Sequence, residues 1–215
     1  DNFLGKSFFR DILGAIEGEV AKMISDHVVR LLCEQNILRA EDVELCRYGL
    51  TLLCSSVIQL FVILIISIFI RNLFETICFF IAFIPLRLYV GGYHAETRKK
   101  CFLTSLTIYL IFTVILYWSE PSLYLFWSRL LSLISFCVVY IFAPIIHKNR
   151  NVKVEEKIYF RKISIVICFL ETLFVLIFTA IIPKNIDVMA FSLGQFTVVF
   201  SMLVAMLKNK LCYED

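Results

Sequence analysis

Six long apolar runs, separated by short polar segments, dominate the hydropathy pattern of this chain. They cover about residues 48–70, 73–90, 101–118, 123–146, 163–182 and 188–207. A helix needs about 20 apolar residues to cross the hydrocarbon core of a bilayer. Each run therefore predicts a transmembrane helix. The second run is expected to bend or end near Pro85, and the short second and third runs favour tilt or local thinning of the bilayer.

The first 40 residues show a different, amphipathic pattern. Apolar residues recur every fourth position from Phe8 to Ile16, with charged residues between them. This spacing is typical of a helix that lies in the membrane interface. A second segment of this kind covers residues 20–35. We predict that residues 1–40 form an N-terminal amphipathic, cytoplasmic or interfacial segment and that residues 41–215 form the membrane domain.

Composition supports an integral membrane protein. The chain is 60% hydrophobic and only 18% charged, whereas soluble domains are about half apolar and about a quarter charged. Four of its eight cysteines lie inside apolar runs, where cysteine behaves as a small hydrophobe: Cys54, Cys78, Cys137 and Cys168. No C-x-x-C pair indicates a metal site. We predict an all-α integral membrane protein with about six transmembrane helices.

The distribution of basic residues predicts the orientation. Six spans place both termini on one side, together with Arg87 and residues 91–100 and 147–162, and this side then holds 18 of the 21 Lys and Arg residues. The positive-inside rule makes this side cytoplasmic, where thiols stay reduced. We predict a multi-pass protein with both termini in the cytoplasm. The basic loop 147–162 is interpreted as a lipid-facing or substrate-docking surface, or as a topology signal only. Nucleic-acid binding has no support beyond charge.

A polar island, residues 87–101, separates the second and third runs and contains His94 and Cys101. Cysteine attacks as the thiolate, and His94 is the available base. On one continuous helix a spacing of seven residues corresponds to about 10 Å of rise. That exceeds the hydrogen bond of about 3 Å that the pair needs. We therefore expect His94 on a loop that folds back towards the start of the Cys101 helix, with Gly91 and Gly92 as the flexible break.

Other residues of the island are candidates for supporting roles. Three basic residues directly before Cys101 favour its thiolate form, as does a position in the first turns of a helix: Arg98, Lys99 and Lys100. Glu96 is a candidate to orient the His94 ring. Arg87 is a candidate to hold a substrate carbonyl, a carboxylate or a backbone carbonyl. The pair alone also fits an ordinary basic cytoplasmic turn, with Cys101 as a hydrophobe at a helix start.

The whole string, rather than the pair, resembles a known signature. Arg87, Gly91-Gly92, His94 and Cys101, at their spacing between two spans, resemble the motif of the accessory gene regulator B (AgrB) family. Two other places are similar to that family: Ala143-Pro144 before a Lys-rich loop, and Arg47-Tyr48-Gly49 at the first span. The resemblance covers about residues 23–215.

The resemblance implies a bacterial plasma-membrane cysteine endopeptidase that processes an AgrD-type propeptide. It implies that His94 is the base and Cys101 the nucleophile, with the active site facing the cytoplasm. Cleavage releases an acidic C-terminal tail and leaves the signal segment on Cys101 as a thioester. An internal Cys or Ser of the propeptide then closes a thiolactone or lactone. The resemblance also implies a homodimer, and neither a cofactor nor a metal is required.

Two questions remain open at the level of sequence. A small membrane peptide transporter or binding protein without covalent chemistry is the alternative function, although the third and fourth runs contain few polar residues that would line a path. Glu171, inside the fifth run, either has a functional role or hydrogen-bonds a neighbouring helix.

Gln59 and Gln195 are expected to form hydrogen bonds between helices, and the Arg129 side chain is expected to reach the outer interface.

Overall fold

The computed structural model describes residues 2–35, 37–39, 42–91, 98–145, 154–182 and 185–211, and for residues 2–17, 98–99 and 208–211 it describes the backbone alone. Seven α-helices lie in these described ranges, and a 3-10 turn, Pro121–Leu123, precedes the fifth. The helices are α1 Asn2–Glu34, α2 Val43–Ile70, α3 Leu73–Val90, α4 Arg98–Trp118, α5 Tyr124–Phe142, α6 Val154–Ile181 and α7 Ile186–Leu211.

Six of the helices in the described part of the chain, α2 to α7, are long and apolar enough to cross a membrane. The prediction of an all-α integral membrane protein with about six spans is confirmed. α3 has the predicted bounds, and it passes Pro85 instead of ending there. α6 begins at Val154, well before its apolar run, because charged residues can extend a helix beyond the hydrocarbon core.

The N-terminal region differs from the prediction, because it is one helix and not two. α1 continues from Asn2 to Glu34 through the junction expected near Val20. An interior glycine such as Gly18 costs a helix about 1 kcal/mol relative to alanine, and neighbouring helix formers offset that cost. The location of α1 in the membrane interface stays a prediction.

The helices form two compact units, and the first contains α1, α2 and the part of α4 up to Tyr109. Ser25 of α1 and Thr51 of α2 share a buried hydrogen bond of 2.7 Å. One residue after Ser25 on α1 and four residues before Thr51 on α2, the Asp26 carboxylate and the Arg47 guanidinium form a partly exposed ion pair at 3.0 Å. Because exposed ion pairs contribute little, the buried hydroxyl pair is the stronger link between α1 and α2.

The second unit contains α3, α5, α6, α7 and the remainder of α4. α7 is its central helix, since 67% of its spanning stretch is buried, against 22–28% for the other spans. Its core joins four helices through buried side chains: Leu86, Val90, Val139, Ala143, Cys168, Val198, Val199 and Met202. Gly194 lets α7 approach α3 closely, because a Cβ atom there would collide with the Phe79 carbonyl oxygen and lie 3.2 Å from the Ala82 Cβ.

A buried polar network also joins α5, α6 and α7. Gln195 Nε2 donates to Glu171 Oε2 at 3.0 Å, and Ser132 Oγ donates to Gln195 Oε1 at 2.6 Å. Thr172 Oγ1 lies 3.3 Å from the same serine hydroxyl. The expected bonding of Gln195 between helices is confirmed, and Glu171 adopts the arrangement in which it hydrogen-bonds a neighbouring helix.

Candidate active site

The carboxyl end of α3 is held by the side chain of Arg87. Its Nη1 atom donates to the carbonyl oxygen of Gly91 at 2.6 Å and to Ser201 Oγ of α7 at 3.0 Å. Both acceptors lie in the second unit with Arg87. Of the three partners proposed for Arg87 from the sequence, the structure shows the backbone carbonyl.

Gly91 ends α3 in a conformation that suits glycine. Its φ of 78° and ψ of −155° lie in a region that is essentially restricted to glycine. Gly91 pairs with Ile145 of the segment after α5, and Ile145 N donates to Val90 O at 2.9 Å. A Cβ atom on Gly91 would collide with the Ile145 carbonyl oxygen. Gly91 is therefore fixed against a neighbouring segment, whereas the sequence suggested a flexible break.

Cys101 occupies the fourth position of α4, which begins at Arg98. The first four backbone N–H groups of a helix lack partners within the helix, and their dipoles favour a negative charge. The thiol is half-buried and Lys100 beside it is exposed. The predicted placement of Cys101 in the first turn of a helix is confirmed, and this setting suits a thiolate nucleophile.

Several residues of the predicted site lie outside the described residues: Gly92, His94, Glu96 and the proposed N-cap Thr97. Only the backbone of Arg98 and Lys99 is described. The pairing of His94 with Cys101 therefore stays a prediction. Among the residues that the structure does describe, no group of three His, Cys, Asp or Glu side chains is arranged to hold a metal ion.

One residue of a buried polar stripe on α2 hydrogen-bonds α4 one turn after Cys101. Thr51, Ser55, Gln59 and Ser67 repeat at multiples of four residues and are all buried. Ser105 Oγ of α4 donates to Gln59 Oε1 at 3.4 Å. Cys101 lies one turn before Ser105, and residues four apart share a helix face. The expected interhelical bond of Gln59 is confirmed, and it lies on the helix face that carries the candidate nucleophile.

Sequence reasoning missed two contributors to this region. Ser201 gives no signal by itself, since a single serine in an apolar span is common, and only the fold brings it to Arg87. The stripe on α2 does leave a signal, because a four-residue period of polar side chains inside an apolar run indicates a buried face.

Arg129, expected at the outer interface, donates from Nε to Thr179 Oγ1 at 2.9 Å.

Comparison with known proteins identifies the family. The family model described as Accessory gene regulator B matches residues 22–206. Protein FsrB of Enterococcus faecalis is 34% identical over 98 residues, which are 46% of this chain and 40% of FsrB. Putative AgrB-like protein 2 of Clostridium perfringens is 27% identical over 143 residues, which are 64% of this chain and 65% of that protein.

The chain thus spans less than two thirds of the length of each of these two relatives. No solved structure gives a significant match. The family match nevertheless extends from α1 to α7 and includes the whole polar island. The chain belongs to the accessory gene regulator B (AgrB) family of membrane proteins, which serves the accessory gene regulator quorum-sensing system.

Proposed function

We propose that this protein is a membrane-embedded cysteine endopeptidase that cleaves the C-terminal tail from an AgrD-type propeptide and promotes cyclisation of the signal segment. The observation that carries the proposal is the position of Cys101 in the first turn of α4, seven residues after His94, in a chain that matches the family over residues 22–206. The positive end of the helix favours the thiolate that such a reaction requires.

The cleavage step assigns one role to each residue. His94 accepts the proton of Cys101 Sγ, and the thiolate attacks the carbonyl carbon of the scissile peptide bond. When the tetrahedral intermediate collapses, the C–N bond breaks and His94 returns the proton to the leaving amine. The products are the free tail and an acyl thioester between the signal segment and Cys101.

The cyclisation step exchanges that thioester. An internal Cys thiol or Ser hydroxyl of the propeptide attacks the thioester carbonyl, the bond to Cys101 Sγ breaks, and the Cys101 thiol is regenerated. The exchange with an internal Cys conserves the bond type, so the ring forms without ATP. Removal of the cyclic product shifts the equilibrium of the exchange towards ring formation.

The surroundings of Cys101 fit an acidic substrate tail. Arg98, Lys99 and Lys100 directly precede the nucleophile, and their positive charge attracts acidic residues of the tail. We propose that this cluster and both termini face the cytoplasm of the bacterial cell, in the plasma membrane. We also propose that the enzyme is a homodimer, which chemical cross-linking of the protein in native membranes tests directly.

The decisive experiment removes each reacting group. We expect Cys101→Ala to abolish cleavage, and His94→Ala to lower it by about 10²–10⁴-fold because proton transfer is lost. The substrate is sought as a short open reading frame beside this gene that encodes a peptide with an amphipathic start, a central Cys or Ser and an acidic end. Cleavage is followed by mass spectrometry in membranes that contain equal amounts of each variant. Any cleavage by Cys101→Ala, or cleavage at the wild-type rate by His94→Ala, would contradict the proposal.

Trapping the intermediate separates this function from the alternative of a transporter or binding protein. A peptidase carries the signal segment on Cys101 as a thioester, which hydroxylamine releases. Mass spectrometry of Cys101-containing peptides after brief incubation with propeptide detects the added mass. A transporter without covalent chemistry gives no such adduct.

A further inference from the structure

The polar contact between Arg87 and Ser201 joins parts of the chain that are far apart in sequence. The two residues are separated by 114 positions, and Arg87 Nη1 lies 3.0 Å from Ser201 Oγ. Both side chains are partly buried, where a hydrogen bond from a guanidinium is stronger than at an exposed surface. Around them, Leu86, Val90 and Met202 are fully buried in one core cluster, so the contact has packed surroundings.

The same Nη1 atom donates to Gly91 O at 2.6 Å, and it thereby connects α7 to the backbone that leaves α3. The other side of this backbone is fixed by the bond from Ile145 N to Val90 O. We name Arg87, Gly91, Ile145 and Ser201 the Arg87 junction. The junction holds the last turn of α3 from two directions, from α7 and from the segment after α5.

Gly91 precedes His94 by three residues. A trans-linked chain advances at most about 3.6 Å per residue, so the position of Gly91 sets the start of a short tether to His94. A misplacement of about 1 Å in a catalytic group can cost about 10²-fold in rate. Residues that fix Gly91 therefore affect catalysis without touching the substrate.

We propose that Ser201 is a positioning residue of the peptidase, which acts through Arg87 to fix Gly91 and thereby the start of the His94 segment. This inference rests on the proposed function, since it needs His94 as the base. It differs from a role for Arg87 in binding the substrate carboxylate, because a binding role would raise KM, whereas a positioning role lowers kcat.

The main test uses kcat and KM for cleavage of an AgrD-type propeptide by the protein in proteoliposomes. We expect Ser201→Ala to lower kcat about tenfold, with KM changed less than about twofold, because one charge-assisted hydrogen bond is lost. Arg87→Lys should lower kcat at least as much, since an ammonium lacks the planar fork of a guanidinium. Ser201→Thr keeps the hydroxyl and should retain kcat.

A matched control lies on the same helix. Ser192 is buried, and its hydroxyl donates to the Val188 carbonyl within α7 at 2.9 Å. Ser192→Ala removes an equally small polar group without touching the Arg87 junction, so kcat should stay at the wild-type value. Should Ser201→Ala reduce the amount of folded protein, Ser201→Cys preserves the volume, replaces the hydroxyl by a weak acceptor and carries the same expectation.

A second readout distinguishes positioning from a general structural role. The alkylation rate of Cys101 by iodoacetamide is measured against pH, with peptide mapping by mass spectrometry to separate Cys101 from other cysteines. Loss of a positioned base should slow the alkylation of Cys101 at neutral pH, because the base accepts the thiol proton. We expect the slower alkylation in Ser201→Ala and Arg87→Lys, and an unchanged rate in Ser201→Thr and Ser192→Ala.

The possible failures are separable. If Ser201→Ala retains the wild-type kcat and alkylation profile while Cys101→Ala and His94→Ala are inactive, the positioning inference is overturned and the proposed function stands. If an increased KM is the only effect of both junction variants, the substrate-binding role of Arg87 replaces the inference. If Cys101→Ala cleaves at all, or if His94→Ala cleaves at the wild-type rate, the proposed function fails, and the inference fails with it.

Discussion

Two residues show how local chemistry prepares the candidate site. Gly91 adopts a backbone conformation that side chains rarely allow and lies directly against the Ile145 carbonyl oxygen. Cys101 occupies the first turn of α4, where the positive end of the helix dipole favours an anion. At this scale one glycine sets the backbone geometry, and one cysteine carries the proposed chemistry.

Replacement of Gly91 tests the first of these roles. Gly91→Ala should destabilise the fold by about 1–3 kcal/mol, because the residue would keep a strained conformation, and it should also lower propeptide cleavage. Thermal unfolding in detergent and the cleavage assay measure the two effects. Gly18→Ala is the control, because a Cβ atom there meets nothing within 4 Å and alanine favours the interior of a helix. Equal effects of the two substitutions would contradict the role of Gly91.

At the scale of elements, polar contacts between spans specify how the helices pack. In the first unit the stripe on α2 meets α1 through Thr51 and α4 through Gln59. In the second unit Ser132, Glu171 and Gln195 connect three helices. Because lipid tails give no hydrophobic drive between spans, packing and such hydrogen bonds decide which helix faces meet.

Two serines on α5 give a matched comparison for this principle. Ser132 and Ser135 are both fully buried, but Ser132 bonds to α6 and α7, whereas the hydroxyl of Ser135 donates to the Leu131 carbonyl of its own helix. Ser132→Ala should destabilise the protein by about 1–2 kcal/mol. Ser135→Ala should change stability little. Unfolding of both variants in the same detergent measures the difference, and an equal loss would refute the principle here.

At the scale of the whole molecule, orientation decides whether the candidate nucleophile meets a cytoplasmic substrate. We expect a single cysteine introduced by Ser122→Cys, between α4 and α5, to react with a membrane-impermeant maleimide in intact cells. A single cysteine from Lys157→Cys, near the start of α6, should react only after permeabilisation. Both are placed in a background without native cysteines. The opposite pattern would put the polar island outside the cell and contradict the proposed topology.

More of the fold than of the candidate site can be predicted from the sequence. Spans are readable because bilayer thickness imposes one length and one composition on each helix, and α3 has its predicted bounds for this reason. Continuity of α1 was missed because charged residues interrupt its pattern without stopping a helix. The contact between Arg87 and Ser201 depends on tertiary packing, and no periodicity encodes a partner 114 residues away.

The distance along the chain between Arg87 and Ser201 has a consequence for biosynthesis. Ribosomes add about 5–20 residues per second, so the serine emerges roughly 6–23 s after the arginine that it contacts. During that interval residues 87–101 are already made, while α7, the helix that we propose fixes the start of the His94 segment, is still absent. A nascent chain halted before Ser201 would therefore carry Cys101 without a functional peptidase. On the proposed function, propeptide cleavage would therefore begin only after α7 is inserted.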